Sequence, residues 1–98
     1  MARIELAVEL QNDIDRILDH LATYAADDAP DRIREILEAI DVLQFNPLIG
    51  RAVTADTREL VIGRSARGYV ALYRYIEQAD TVFVLAIRSQ REAGYAQG

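Results

Sequence analysis

The stretch that decides the fold runs from Arg58 to Arg91, RELVIGRSARGYVALYRYIEQADTVFVLAIRSQR. Its segment 70–76 holds Val, Leu, Tyr and Ile, interrupted only by Arg74, and its segment 82–87, VFVLAI, has no polar residue. Between them Glu77-Gln78-Ala79-Asp80 is a polar break of hairpin length. A shorter run, Leu60-Val61-Ile62, precedes both and ends at Gly63. The three runs predict an antiparallel meander, with arginines 58, 64, 67, 74, 88 and 91 at its margins. The rest of the chain has to cover that sheet.

Upstream, the period of the apolar residues changes twice. Residues 3–8, RIELAV, alternate, with Ile4, Leu6 and Val8 on one side, and predict a short half-buried strand. From Glu9 the spacing becomes helical: Leu10, Ile14, Ile17, Leu18, Leu21 and Ala25 form a stripe, with Asp13, Asp15, Arg16 and Asp19 on the other face. This predicts a helix over about 9–25. Pro30 suits the first turn of a second helix, whose stripe is Ile33, Ile36, Leu37, Ile40 and Leu43 and which Asn46-Pro47 ends. The short break between the helices predicts an antiparallel hairpin. Residues 46–58 are the longest irregular piece. The expected architecture is α+β: an antiparallel-rich, four-stranded sheet with an N-terminal strand and the helical hairpin packed on one face, in the order β-α-α-β-β-β. Ile17, Leu18, Leu21, Ile36, Leu37 and Ile40 are expected to be buried against Leu72 and Leu85 or their strand neighbours. Strict alternation sets Val82, Val84 and Ala86 opposite Phe83, Leu85 and Ile87, so the last strand is apolar on both faces. The face without helices then takes a partner, the tail or the 46–58 loop.

Composition narrows the function. The 98 residues suffice for one domain, 1–98, and not two. No apolar run reaches the ~18 residues of a membrane span, and MARIELAVEL carries acids where a signal peptide has a basic and then an apolar run. Cysteine is absent, which removes disulfides and thiolate metal sites and makes the cytoplasm the expected location. The net charge of −5 is uneven: residues 1–49 hold four arginines and eleven acids, residues 50–98 seven arginines and five acids. That division argues against a general nucleic-acid binder, and no direct sequence-specific DNA binding by this chain alone is expected. Every basic residue is arginine, whose planar fork suits carboxylate and phosphate partners.

The order of elements, together with Asn46-Pro47-Leu48-Ile49-Gly50-Arg51, Arg58-Glu59-Leu60, Gly63, Tyr69, Tyr73-Arg74 and the close Val84-Leu85-Ala86-Ile87-Arg88, resembles the RelE/ParE superfamily of bacterial toxins. The resemblance spans nearly the whole chain and rests on order and spacing, since no single piece is diagnostic. The tail, from Arg88 to Tyr95, is similar to that of ParE-like plasmid stabilisation toxins, with Ser89 where many of those have histidine. The resemblance implies a toxin of a type II toxin–antitoxin module, neutralised by a cognate ParD-like antitoxin in a hetero-oligomer. It implies DNA gyrase as the target of the ParE branch and ribosome-dependent mRNA cleavage as the activity of the RelE branch.

The residues favour contact over catalysis. RelE-type cleavage needs a general base, a general acid and cations on the phosphate. His20 is the only histidine, set mid-helix in an acidic pattern that reads as surface, and lysine is missing. Arginine stays protonated and makes a poor base. No Gly-rich phosphate loop, metal cluster or cofactor motif appears. Asp13, Asp15 and Asp19 read as a solvated helix face, and Tyr69, Tyr73 and Tyr75 as core or interface. The candidate target- or antitoxin-binding residues are therefore Arg58, Arg74, Arg88, Arg91 and Tyr95. Arg58, Arg74 and Arg88 gather into one cationic patch if strand parity puts them on one face. The competing reading pairs them with Glu59, Glu77 or the helix acids.

Overall fold

The computed structural model describes residues 1–24, 29–63 and 68–89. Five strands and two helices follow one another: β1 (Arg3–Leu6), α1 (Val8–Tyr24), α2 (Ala29–Val42), β2 (Arg51–Ala52), β3 (Arg58–Ile62), β4 (Tyr69–Ile76) and β5 (Thr81–Ser89). The α+β class and the element order are as expected from the sequence. The sheet has five strands where four are expected, in the order β1-β5-β4-β3-β2. The extra strand is β2, two residues inside the irregular 46–58 piece, pairing Arg51 with Glu59 and Ala52 with Arg58. A two-residue strand leaves no alternation to read in sequence.

The meander β3-β4-β5 is antiparallel throughout. A single 3-10 turn, Glu77–Ala79, joins β4 to β5, and Asp80 closes it in the left-handed region at φ 46°. Aspartate tolerates that conformation, and the Tyr75 hydroxyl donates to Asp80 Oδ1 at 2.7 Å. β1 lies on the far side of β5 and runs parallel to it, with Ile4 beside Val82 and Leu6 beside Val84. The sheet is therefore mixed, with one parallel pair.

A register shift opposite Leu72/Tyr73 corrects the parity of β5. Leu72 pairs with Ala86 but Tyr73 pairs with Val84, so Leu85 is an extra residue in a β-bulge. The bulge brings Ile87 onto the same face as Val82 and Val84, where strict alternation would have put Ala86. All three are fully buried, together with Ala71 and Tyr73 of β4. The helices cover this face.

Each helix buries a narrower line than its apolar stripe suggests. Leu10, Asp13 and Ile17 of α1, and Ile36 and Ile40 of α2 with Leu43 just beyond it, are buried. Ile14 and Ile33 flank that line half-buried. Leu18 and Leu37 are 41% and 55% exposed, which corrects the expectation that both are in the core. At 3.6 residues per turn, each sits one 100° step beyond a buried isoleucine, Ile17 or Ile36, and that step carries it off the sheet. The Leu21 side chain lies outside the described part. Leu72 and Leu85 are only half-buried, because the bulge and the pleat give the core to Ala71, Tyr73, Val84 and Ile87.

Candidate functional site

The three strand arginines occupy three different settings. Arg58 pairs with Tyr73 across β3 and β4, on the helix-covered face. Its Nη1 donates to the carbonyls of Leu48, at 3.2 Å, and Gly50, at 2.7 Å. The Gly50 N–H in turn donates to the Tyr73 hydroxyl at 2.8 Å. The loop that leaves α2 is thereby tied down at one corner of the sheet. Gly50 has no alternative there: a Cβ would sit 2.7 Å from the Glu59 carbonyl oxygen and from the Tyr73 ring and hydroxyl. Burial pushes the Tyr73 phenol up from 10.0, a rise that the Gly50 N–H and the nearby Arg58 charge only partly offset. The Asn46-to-Arg51 motif, which also carries the family resemblance, is thus the part of the chain that seals this corner.

Arg88 closes the other end of β5. Its Nη1 lies 2.5 Å from Oδ1 of Asp13, a buried carboxylate on α1. Arg16, one turn further along α1, reaches the same oxygen at 3.3 Å. The other oxygen, Oδ2, accepts from the Ile87 N–H at 3.0 Å, two residues beyond the bulge. Burial alone pushes the Asp13 carboxyl up. The Arg88 hydrogen bond, the Ile87 amide and the charges of Arg88 and Arg16 outweigh it, and the carboxyl is held below its ordinary 3.8. In the sequence Asp13 reads as part of a solvated acidic face. Its burial was hidden because an aspartate in an Asp/Arg-rich helix looks like surface, and only the turn it shares with Leu10 and Ile17 marks it as inward.

Arg74 is the third. It pairs with Phe83 on the open face of the sheet and is exposed. It has no ion-pair or hydrogen-bond partner among the described residues. Around it the open face carries exposed Phe83 and Val61, half-buried Leu72 and Ala86, and the Arg51–Glu59 ion pair. Arg58, Arg74 and Arg88 therefore do not gather: the first two lie on opposite faces, and the first and third are held by loop carbonyls and by Asp13. Arg91 and Tyr95 lie outside the described residues, as do Arg64 and Arg67. His20 is exposed on α1. No group of three or more metal-ligating side chains occurs among the described residues, and none of the described helices is long and apolar enough to cross a membrane.

Comparison with known proteins completes the picture. The sequence matches the family model of the ParE toxin of the type II toxin–antitoxin system parDE over residues 4–94. The chain belongs to that family, and so to the type II toxins of the RelE/ParE superfamily. Among solved structures it is similar to a chain of the chromosomal ParDE TA system from P. aeruginosa, with a TM-score of 0.74 and 22% identity over 91% of this chain and 96% of that one. A double mutant of the E. coli toxin RelE in the free state aligns over 99% of this chain and 92% of its own with a TM-score of 0.48 and 17% identity. Comparison with curated proteins gives no match.

Proposed function

We propose that this protein is a cytoplasmic toxin that inhibits DNA gyrase by protein–protein contact and is neutralised by a cognate ParD-like antitoxin. The observation that carries the reading is the family match over residues 4–94. The side chains support contact over chemistry. Asp13 is locked between two arginines, the Tyr73 phenol is raised and engaged with Gly50, and the Tyr75 hydroxyl is bonded to Asp80. Arg58 and Arg88 act as ties within the fold. Arg74, with Phe83 beside it, is the strand arginine open to a carboxylate of a partner, and a well-made Arg–carboxylate bond contributes about 1.5–3 kcal/mol. Arg91 and Tyr95 complete the proposed contact in the tail, which has the arginine and tyrosine of an interface anchor.

Two assays test it. Purified protein is expected to block supercoiling by gyrase, and a chain ending at Ser89 to block it less. The same protein is expected to leave ribosome-bound mRNA intact. Codon-specific cuts with normal supercoiling overturn the gyrase reading in favour of a RelE-like endoribonuclease.

A further inference from the structure

The strand β1 has an open side. It lies outermost in the sheet, with β5 as its strand neighbour among the described residues. The Arg3 N–H donates to the Asp80 carbonyl and the Ala7 N–H to the Val84 carbonyl, both toward β5. Backbone groups alternate along a strand, so Ile4 and Leu6 direct their N–H and C=O away from β5. The Ala2 N–H also turns outward, and the Gln44 carbonyl takes it at 2.7 Å, so the open edge starts at Arg3. An unpaired row of this kind is a template for another strand. Exposed Met1, Leu6 and Val8 bracket it with apolar surface.

The charges on this edge select its occupant. Ile4 and Leu6 lie beside Val82 and Val84 and share the helix-covered face, which leaves Arg3 and Glu5 together on the other. Both are exposed, and Arg3 Nη1 is 4.0 Å from Glu5 Oε1, the outer limit of an ion pair. An edge guarded against its own copies carries charges of one sign or a proline. Here the two signs stand on either side of a single apolar residue. Read backwards, such a strand is complementary to itself.

We propose that β1 pairs antiparallel with β1 of a second copy of this chain, about a two-fold axis at Ile4, and so joins two sheets into one. Ile4 of each chain faces Ile4 of the other, and the two exchange both backbone hydrogen bonds. Arg3 of each chain then stands opposite Glu5 of the other. These are the non-hydrogen-bonded positions, where Cα atoms approach to about 4.5 Å and opposite charges stabilise the pair. The four side chains form a ring of alternating sign on the open face. Neighbouring registers lack this fit. Ile4 opposite Leu6 sets Glu5 against Glu5, and Leu6 opposite Leu6 requires Val8, the first residue of α1, to act as a strand residue. The paired segment is short, so the association is weak and depends on concentration. It goes beyond the toxin reading above and does not depend on it.

Sedimentation equilibrium of the full chain tests it. The apparent mass is expected to rise with concentration from that of one chain toward that of two. Arg3→Glu makes the edge wholly acidic and Glu5→Arg makes it wholly basic. Each variant alone is expected to dimerise about tenfold or more weakly than the wild type. An equimolar mixture of the two is expected to recover the association, because each strand then faces one of opposite sign at both positions. Recovery in the mixture also shows that neither variant lost the contact by misfolding. Arg3→Glu with Glu5→Arg in one chain restores the alternation and is expected to dimerise as the wild type does. The mixture is expected to weaken as the Debye length falls from about 10 Å at 0.1 M to about 3 Å at 1 M salt. A wild type that stays monomeric up to about 1 mM, single variants that dimerise as well as the wild type, or a mixture no tighter than its components overturns the proposal. None of these measurements involves gyrase or an antitoxin, so their outcome leaves the toxin reading to its own assays.

Discussion

Ile17 and Leu18, and likewise Ile36 and Leu37, are neighbours of nearly equal hydrophobicity, yet the first of each pair is buried and the second faces solvent. The inner line closes on Tyr73, Val82, Val84 and Ile87; on the outer flank Leu18 and Leu37 stay exposed among the described residues. The difference teaches that an amphipathic stripe can be wider than the sheet beneath it requires.

The largest expected effect tests the inner half of that contrast. Ile36→Ala is expected to cost about 2–5 kcal/mol, because a buried isoleucine leaves a cavity, and Leu37→Ala less than about 1 kcal/mol. Urea unfolding of the two variants checks both. Equal losses would erase the distinction between line and flank.

Asp13 belongs to the inner line although it is charged. Asp13→Ala strands the Ile87 N–H and leaves Arg88 and Arg16 without their shared carboxylate; the expected cost is about 1–3 kcal/mol, limited by the partial exposure of both guanidinium groups. Because the folded-state carboxyl is held below 3.8, the unfolded chain binds more protons in acid. The contribution of Asp13 is therefore present above its unfolded value and is lost as pH falls below 3.8 through the folded one. Unfolding curves for the wild type and Asp13→Asn are expected to converge in acid and to separate toward neutral pH. A gap that does not change with pH would refute the ionic account of this contact.

At the loop corner, Tyr73→Phe removes the acceptor of the buried Gly50 N–H and is expected to cost about 1–2 kcal/mol. Gly50→Ala is expected to cost a similar amount or more, since its Cβ meets a carbonyl and a buried ring at once. Thermal unfolding measures both.

The smallest expected effect on stability is that of Arg74→Ala, within about 0.5 kcal/mol, because the side chain is exposed and holds nothing in the described structure. Its effect belongs to binding: antitoxin affinity measured by calorimetry is expected to fall for Arg74→Ala. An unchanged affinity removes Arg74 from the proposed contact.

Much of this was legible in the sequence. The apolar runs located β3, β4 and β5, and the change of period at Glu9 located α1 within a residue. Three things were not legible. β2 is two residues long and carries no pattern. The bulge at Leu85 adds one residue to a run that is apolar throughout, so nothing in VFVLAI betrays the change of face. The split between Ile17 and Leu18 depends on where the sheet ends beneath the helix, which is tertiary information. The arginines show the same limit: sequence found all three strand positions, but whether Arg58, Arg74 or Arg88 is free depends on which carbonyls and carboxylates the fold brings near.

The parallel pairing of β1 with β5 also governs how the chain comes off the ribosome. Among the described residues Arg3–Leu6 has its strand neighbour in 81–84, and Asp13 has its amide partner at Ile87. Before 81–89 is synthesised the first strand and the first helix lack the strand that completes their core. Closing a loop of nearly eighty residues is slow and entropically costly, so the fold completes after β5 has been synthesised and emerged. Until β5 is in place the chain passes through an unclosed state, the one most open to aggregation or to proteases.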